Sequence, residues 1–236
     1  MVSPDLSQVI SKSRVTQHGE VLTGKREVNA MLDLVKQETE RIESRFLEPA
    51  CGTGNFLAEI LERKLRVVGE RYGKSQLEYE RNAVLAVSSI YGIDILKDNV
   101  LQCRQRLFGI FDLNYQRLFA SKTNDQCRES VRFILERNII HGDALSLKTV
   151  GGNPEPIVFS EWSSVNGSMF KRREFTFEEL IACGAESKQL SLFPDRPAEQ
   201  LNLFSDLGED VFIPAPIREY PLVHFMRIAD ADQPEL

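Results

Sequence analysis

The spacing of apolar positions changes several times along this chain, and each change marks an element. Val28, Met31, Leu32 and Val35 keep a helical spacing after a polar lead-in, Ser13 to Gly24, of small, polar and cationic side chains. Phe46 and Leu47 form an apolar run that stops at Glu48, the turn Pro49-Ala50-Cys51-Gly52-Thr53-Gly54 follows, and Phe56, Leu57, Ile60 and Leu61 resume helical spacing at once. A strand, a glycine turn and a helix start are predicted there, with the helix reaching about Arg63 and another covering roughly Gln76 to Ser89. Ile90-Tyr91-Gly92-Ile93-Asp94-Ile95 reads as a short buried strand ending in an acid. Lys97 to Phe108 places Val100, Cys103, Leu107 and Phe108 on one helical face, with Arg104 and Arg106 off it. A helix between Asp125 and Glu136 leads into Asn138 to Leu145, a strand closed by Gly142-Asp143. Strands alternating with helices predict an α/β fold with a doubly wound, mostly parallel sheet and helices on both faces.

The pattern shifts after Thr149. Gly151-Gly152-Asn153-Pro154-Glu155-Pro156 is a breaker cluster, followed by two β-prone runs, 157–165 and 168–175, on either side of Asn166-Gly167. That is a strong hairpin signal, with a short helix expected from Thr176 to Cys183. Residues 184–210, rich in Asp, Glu, Gln, Ser and Pro, read as a linker. Val211 to Ile228 recovers strand character, which Pro214, Pro216 and Pro221 confine to edges and turns. The expected organisation is a core at 1–148, a hairpin unit at 149–183, a linker at 184–210 and a strand-like segment at 211–236.

Composition narrows the class only a little. With 42% hydrophobic and 27% charged residues the 236-residue chain has the profile of an ordinary globular protein. No apolar run approaches the ~20 residues of a membrane span, and the first residues lack the basic start and apolar run of a signal peptide. A cytoplasmic protein with no membrane partner is expected. Cys51, Cys103, Cys127 and Cys183 show no zinc-ligand spacing, so no metal is expected and the thiols read as reduced and structural. The formal charge of −6 offers nucleic acid no global attraction, so any DNA contact has to come from a local basic patch.

The candidate chemistry gathers where the strands end. Glu48, Asp94 and Asp143 each close a predicted strand, and in a doubly wound sheet strand carboxyl ends converge on one crevice. A dinucleotide site would need a third glycine at the position of Leu57 and an acid ~20 residues after the turn; Asp94 comes 40 positions after Gly54. S-adenosylmethionine fits better: the turn suits its methionine-ribose part, an acid with two acceptor oxygens suits the two ribose hydroxyls, and a further acid suits the adenine amino group. Each acid taken alone is equally a helix cap or turn residue.

Glu48-Pro-Ala-Cys-Gly-Thr-Gly-Asn-Phe-Leu57 resembles the cofactor motif of the adenine-specific DNA methyltransferases of restriction-modification systems. Arg14 to Met31 is similar to their preceding motif, with Thr23-Gly24 where the family has Thr-Pro. Gly92-Ile93-Asp94-Ile95 resembles the ribose-binding strand end, and Gly142-Asp143-Ala144 the adenine-binding turn. Over residues 12–147 the resemblance implies a SAM-methyltransferase-like fold and cofactor contacts at Thr23, Glu48, Ala50, Gly52, Gly54, Asn55, Asp94, Ile95, Asp143 and Ala144. It also implies a flipped adenine, held by an Asn-Pro-Pro-Tyr-type motif after an apolar strand. No clear copy of that motif is present. Asn153-Pro154-Glu155-Pro156 is the nearest lookalike, and Trp162, after Ile157-Val158-Phe159, is the alternative base-stacking residue or else a core tryptophan. Lys171-Arg172-Arg173 is the best basic patch for phosphates, or else a solvated hairpin face. The functional expectation is a DNA adenine N6-methyltransferase of a restriction-modification or defence system. The alternative is an inactive SAM-binding subunit or adaptor in a DNA-modification complex, with a partner such as a specificity subunit.

Gln189-Leu190-Ser191-Leu192-Phe193 is repeated as Gln200-Leu201-Asn202-Leu203-Phe204. Both resemble the pentapeptide by which bacterial replication and repair proteins bind the sliding clamp, where Leu and Phe anchors fill an apolar groove; packing back onto the core is the other reading. On the clamp reading, immobilised bacterial clamp retains the wild-type chain and releases the quadruple variant Leu192→Ala/Phe193→Ala/Leu203→Ala/Phe204→Ala. Equal retention of both would end that reading.

Overall fold

The computed structural model describes residues 23–182 and 215–232. Its first element is helix α1, Lys25–Asp33, followed by a short helix α2, Lys36–Glu40, and strand β1, Phe46–Glu48. Helices α3, Asn55–Tyr72, and α4, Gln76–Ser88, lead to strand β2, Ile90–Asp94. Helices α5, Lys97–Phe119, and α6, Asp125–Asn138, lead to strand β3, Ile139–Asp143, and the short strand β4, Lys148–Thr149. The helices α3 and α5 are longer than their apolar spacing predicts, because their later turns pack on other helices rather than on the sheet. Phe111 and Tyr115, beyond the expected end of α5, are fully buried, and the Tyr115 ring lies 6.0 Å from that of Tyr79 in α4.

The sheet is mixed α/β in type and mostly parallel. Its order is β1-β2-β3-β4, parallel across the first three strands and antiparallel at β4. Phe46 pairs with Ile90, Glu48 with Gly92 and Asp94 with His141, so the three parallel strands finish near one level.

Helices were expected on both faces, and the described residues correct this. Crossovers between parallel strands are right-handed almost without exception, so strands added in one direction put their helices on the same face. Side chains alternate along β2 accordingly. Ile90 belongs to the buried cluster of the helices, and a Cβ on Gly92 would meet Leu57 of α3 at 2.9 Å. Tyr91 and Ile93 point the other way, into a second cluster with Ile157, Phe159 and Phe177.

Those residues come from the hairpin that covers the second face. Strand β5, Val158–Val165, pairs antiparallel with β6, Met169–Thr176, around Asn166 and Gly167, both at positive φ. Strands β7, Arg218–Glu219, and β8, Val223–His224, both pair with β6, and a 3-10 segment, Phe225–Asp232, follows where strand character was expected. Trp162, Phe170, Phe225 and Ile228 lie in the same buried cluster as Leu57 and Leu61, so hairpin and C-terminal segment extend one core. The expected linker at 184–210 lies outside the described residues. Among the described residues no helix is long and apolar enough to cross a membrane.

Lys64 of α3 sets the start of β1. It is fully buried, and its Nζ donates to Ile42 O, Ser44 O and Ser89 Oγ, tying the segment before β1 to the residue before β2. Three acceptors match the three donors of an ammonium. Burial nevertheless drives its pKa down to about 7, with Glu43 and Glu38 acting in the opposite sense. The unfolded chain keeps this proton up to the ordinary lysine range, whereas the folded chain releases it near 7. Stability therefore rises with pH from about 7 towards 10.5 and is flat in this respect below 7. In urea titrations the Lys64→Met variant should lose about 1–3 kcal/mol through orphaned carbonyls, and its stability should rise less between pH 7 and 9 than that of the wild type.

Candidate functional site

A cleft of about 600 Å³ opens at the carboxyl ends of β1, β2 and β3. Its wall brings together residues far apart in the chain: Thr23 before α1, Glu48 and Ala50 after β1, Gly52 and Asn55 at the turn, Asp94 and Ile95 after β2, Asp143 and Ala144 after β3. Every expected cofactor residue except Gly54 lines it. Phe56, Asn99 and Leu145 also line it and were not expected. Phe56 was legible as the residue beside the glycine turn, and Asn99 as a polar residue in the first turn after Asp94; Leu145 had no signal beyond its place after Gly142-Asp143.

The turn is stitched to β2. Cys51 N donates to Ile93 O at 2.9 Å, and Gly52 N donates to Asp94 Oδ2 at 2.8 Å. Gly52 and Gly54 have φ of +52° and +84°, the left-handed region in which a side chain is strained. Gly54 was expected to admit a ligand. Instead its close neighbour is protein: a Cβ there would stand 2.7 Å from Cys103 Sγ of α5. Cys51, Cys103 and Cys127 are buried and free, and hydrogen bonding with Cys103 together with burial holds the Cys51 thiol far above its ordinary range. Gly54 provides no side-chain cap, so the positive end of the 18-residue helix α3 lies at the cleft, where Asn55 and Phe56 line it. Asn55 Nδ2 donates to Thr23 O at 2.8 Å, and its Oδ1 accepts from Arg106, which fixes the cleft mouth to α1 and α5.

The three acids differ. Glu48 is half-buried, and burial raises its pKa, offset in part by a long contact from Ala50 N at 3.4 Å. Asp143 accepts from Leu145 N at 3.0 Å, and that backbone bond lowers its pKa. Asp94 is 8% exposed and accepts from Leu96 N, Asn99 Nδ2 and Gly52 N. Among the described residues the lining contains these three carboxylates and no Lys, Arg or His. Among the described residues no group of His, Cys, Asp and Glu is arranged to hold a metal ion.

The two residues expected to meet a target base are placed elsewhere. Asn153 sits at an exposed bend after Gly151 and Gly152, both at positive φ, on a loop that folds back so that Thr149 N donates to Glu155 O. It lies outside the cleft lining, and the strand before it, β4, has only two residues. Trp162 is a core residue rather than a base-stacking one: it is 3% exposed, and its Nε1 donates to Asn138 Oδ1 at 3.0 Å.

The basic triplet is likewise neutralised. Lys171 pairs with Glu219 at 2.9 Å and Arg173 with Glu161 at 3.0 Å. Arg172 is buried opposite Trp162, bonded to Glu174, Asp232 and Ser160 and stacked 4.0 Å from the centre of the Tyr220 ring. Its register places it on the inward pleat, which removes it as a phosphate ligand. Both clamp-like pentapeptides lie outside the described residues. Comparison of the chain with family models, curated proteins and solved structures gives no match.

Left-handed backbone and the Cys103 contact make separable demands at Gly54. Gly54→Ala should cost about 1–2 kcal/mol for its backbone conformation alone, plus a steric share. Urea denaturation of Gly54→Ala/Cys103→Ala should recover the steric share and leave the backbone share. A Gly54→Ala protein as stable as wild type would show that the turn relaxes freely.

Proposed function

We propose that this chain binds S-adenosylmethionine as a methyltransferase-type core, and that the reaction served is methylation of adenine N6 in DNA. The observation that carries the reading is a cleft at three strand ends that the described residues line with three carboxylates and no cationic side chain. Against the one partial positive charge at the start of α3 stand three carboxylates, a balance that disfavours the several phosphate charges of NAD and nucleoside polyphosphates. It suits a nucleoside that carries positive charge, and the sulfonium and ammonium of S-adenosylmethionine are two such charges. The cofactor would supply the methyl group. In this reading Glu48 accepts from the ammonium, the ribose lies at the Asp94 end, Asp143 accepts from the adenine amino group, and Ile95 and Ala144 flank the ring. The SAM-methyltransferase fold implied by resemblance is supported by the strand–turn–helix at Glu48 to Leu57 and the parallel order of β1, β2 and β3.

A second reading, an inactive SAM-binding subunit or adaptor, is favoured by one set of contacts. Trp162 and Arg172 are consumed inside the fold, and Asn153 is outside the cleft. A DNA target would then be held by a partner or by residues beyond those described.

Calorimetry tests what the two readings share. Wild-type protein should bind S-adenosylmethionine and bind ATP at least about 100-fold more weakly, since each 1.4 kcal/mol of charge mismatch is tenfold. Because burial raises the Glu48 pKa, its carboxylate protonates earlier than an ordinary one as pH falls. Affinity should therefore begin to fall at a higher pH than for an ordinary carboxylate as the solution is acidified, with a shallower fall in Glu48→Gln. No binding of S-adenosylmethionine by the wild type would reject both readings. Tritiated methyl transfer to DNA, with nucleoside analysis, then marks the enzyme by labelled N6-methyladenine and the adaptor by its absence.

A further inference from the structure

Asp94 is the residue that resemblance assigns to the ribose hydroxyls, yet its oxygens are already in use. Oδ1 accepts from Leu96 N at 2.8 Å and from Asn99 Nδ2 at 3.2 Å, which fills its two lone pairs. Oδ2 accepts from Gly52 N at 2.8 Å and has one lone pair left. A two-oxygen grip on two hydroxyls is not on offer. Capping of α5 accounts for the Oδ1 bonds, because Leu96 is the N-cap and has no side-chain cap of its own. Capping does not account for Oδ2, whose donor is 42 positions away in the turn after β1.

We propose that Asp94 is a positioning residue, a latch that joins the glycine turn to the start of α5 and so shapes the cleft without gripping the ribose itself. Gly52 is left-handed, and its N–H is held only if an acceptor stands at the end of β2. Together with the bond from Cys51 N to Ile93 O, the latch fixes both the height and the tilt of the turn over β2. Removing the carboxylate takes the acceptor from the Gly52 N–H and from the Leu96 N–H at the N-cap of α5 at the same time. Any ligand seated on the turn then loses affinity, whether or not it carries ribose hydroxyls.

The ligand arm of the test rests on the S-adenosylmethionine reading; the exchange arm does not. Calorimetry compares wild type and Asp94→Ala with S-adenosylmethionine and with its 2′,3′-dideoxyribose counterpart. The latch requires Asp94→Ala to weaken both ligands by the same factor, about 10- to 100-fold, as expected for a lost charged hydrogen bond. In ligand-free protein the Gly52 amide should exchange at least about tenfold faster in the variant, while Leu61 in α3 keeps its rate. Asp94→Asn keeps an oxygen for Leu96 but turns a donor towards Gly52, so it should speed Gly52 exchange in a better-folded background. If Asp94→Ala weakens only the hydroxyl-bearing ligand, the carboxylate reads the ribose and the latch is wrong. Unchanged Gly52 exchange in both variants overturns it as well. If wild type binds neither ligand, the cofactor reading falls instead, and amide exchange alone decides the latch.

Discussion

The turn after β1 has to rest on the end of β2, and much of the molecule is arranged to keep it there. Cys51 and Gly52 donate to Ile93 and Asp94, so the two strands must finish at matching heights. At the opposite end the same pair is aligned by Lys64, which holds Ile42, Ser44 and Ser89 around the entrance to both strands, and by Phe46 N, which donates to Ser89 O at 3.0 Å. A buried lysine is a costly way to align two strands, since its charge is taken out of water. It is tolerated because three carbonyl and hydroxyl oxygens converge there. Gly54 then turns α3 away with so little room that Cys103 of α5 occupies the place of a side chain. The cleft is what remains open above this fixed arrangement.

Strand order decides the rest of the architecture. Order β1-β2-β3-β4 never reverses among the described residues, so the helices collect on one face and Tyr91 and Ile93 are left to be covered on the other. A parallel sheet is rarely left bare. Here the cover is a hairpin, with Phe159 meeting Tyr91 edge to face at 5.4 Å and the Tyr91 hydroxyl donating to Ser160 O at 3.0 Å. The opposite pleat of that hairpin carries Trp162 and Arg172 into the space beside α6, which is why neither faces solvent.

What could be seen in the sequence divides along the same physical line. Local chemistry was legible: the glycines that turn, the acids that close strands, the Asn-Gly hairpin and the helical spacing at Phe56, Leu57, Ile60 and Leu61 depend on near neighbours. Most of the expected cleft residues follow, because they sit close after a strand end; Thr23, ahead of α1, was indicated only by the resemblance. Non-local facts were not legible. Nothing near Trp162 signals that Asn138 accepts its indole N–H, and nothing near Arg172 signals Asp232, 60 positions on. The cover of the second face was misread as helical because a periodic pattern carries no record of the order in which strands are laid down. The purpose of Gly54 was misread for a similar reason, since Cys103 is a contact made across two elements.

Charge is partitioned between the cleft and the hairpin. The acids at the cleft, Glu48 above all, have no cationic side chain beside them among the described lining residues. The arginines of the hairpin are each matched by carboxylates, Arg172 by two of them. An acid without a counter-charge in a half-buried cleft raises the energy of the empty site and lowers it when a cation enters, so binding and relief of repulsion are the same event. A matched arginine has the opposite character: a phosphate would have to displace carboxylates already in place, and desolvating the pair a second time gains little. On the proposed reading the cleft accepts a charged nucleoside, while the hairpin spends its cations on holding the fold together. On the proposed reading, the chemistry that recognises a nucleic-acid target is supplied from outside the described residues, and the described chain contributes the donor half of the reaction.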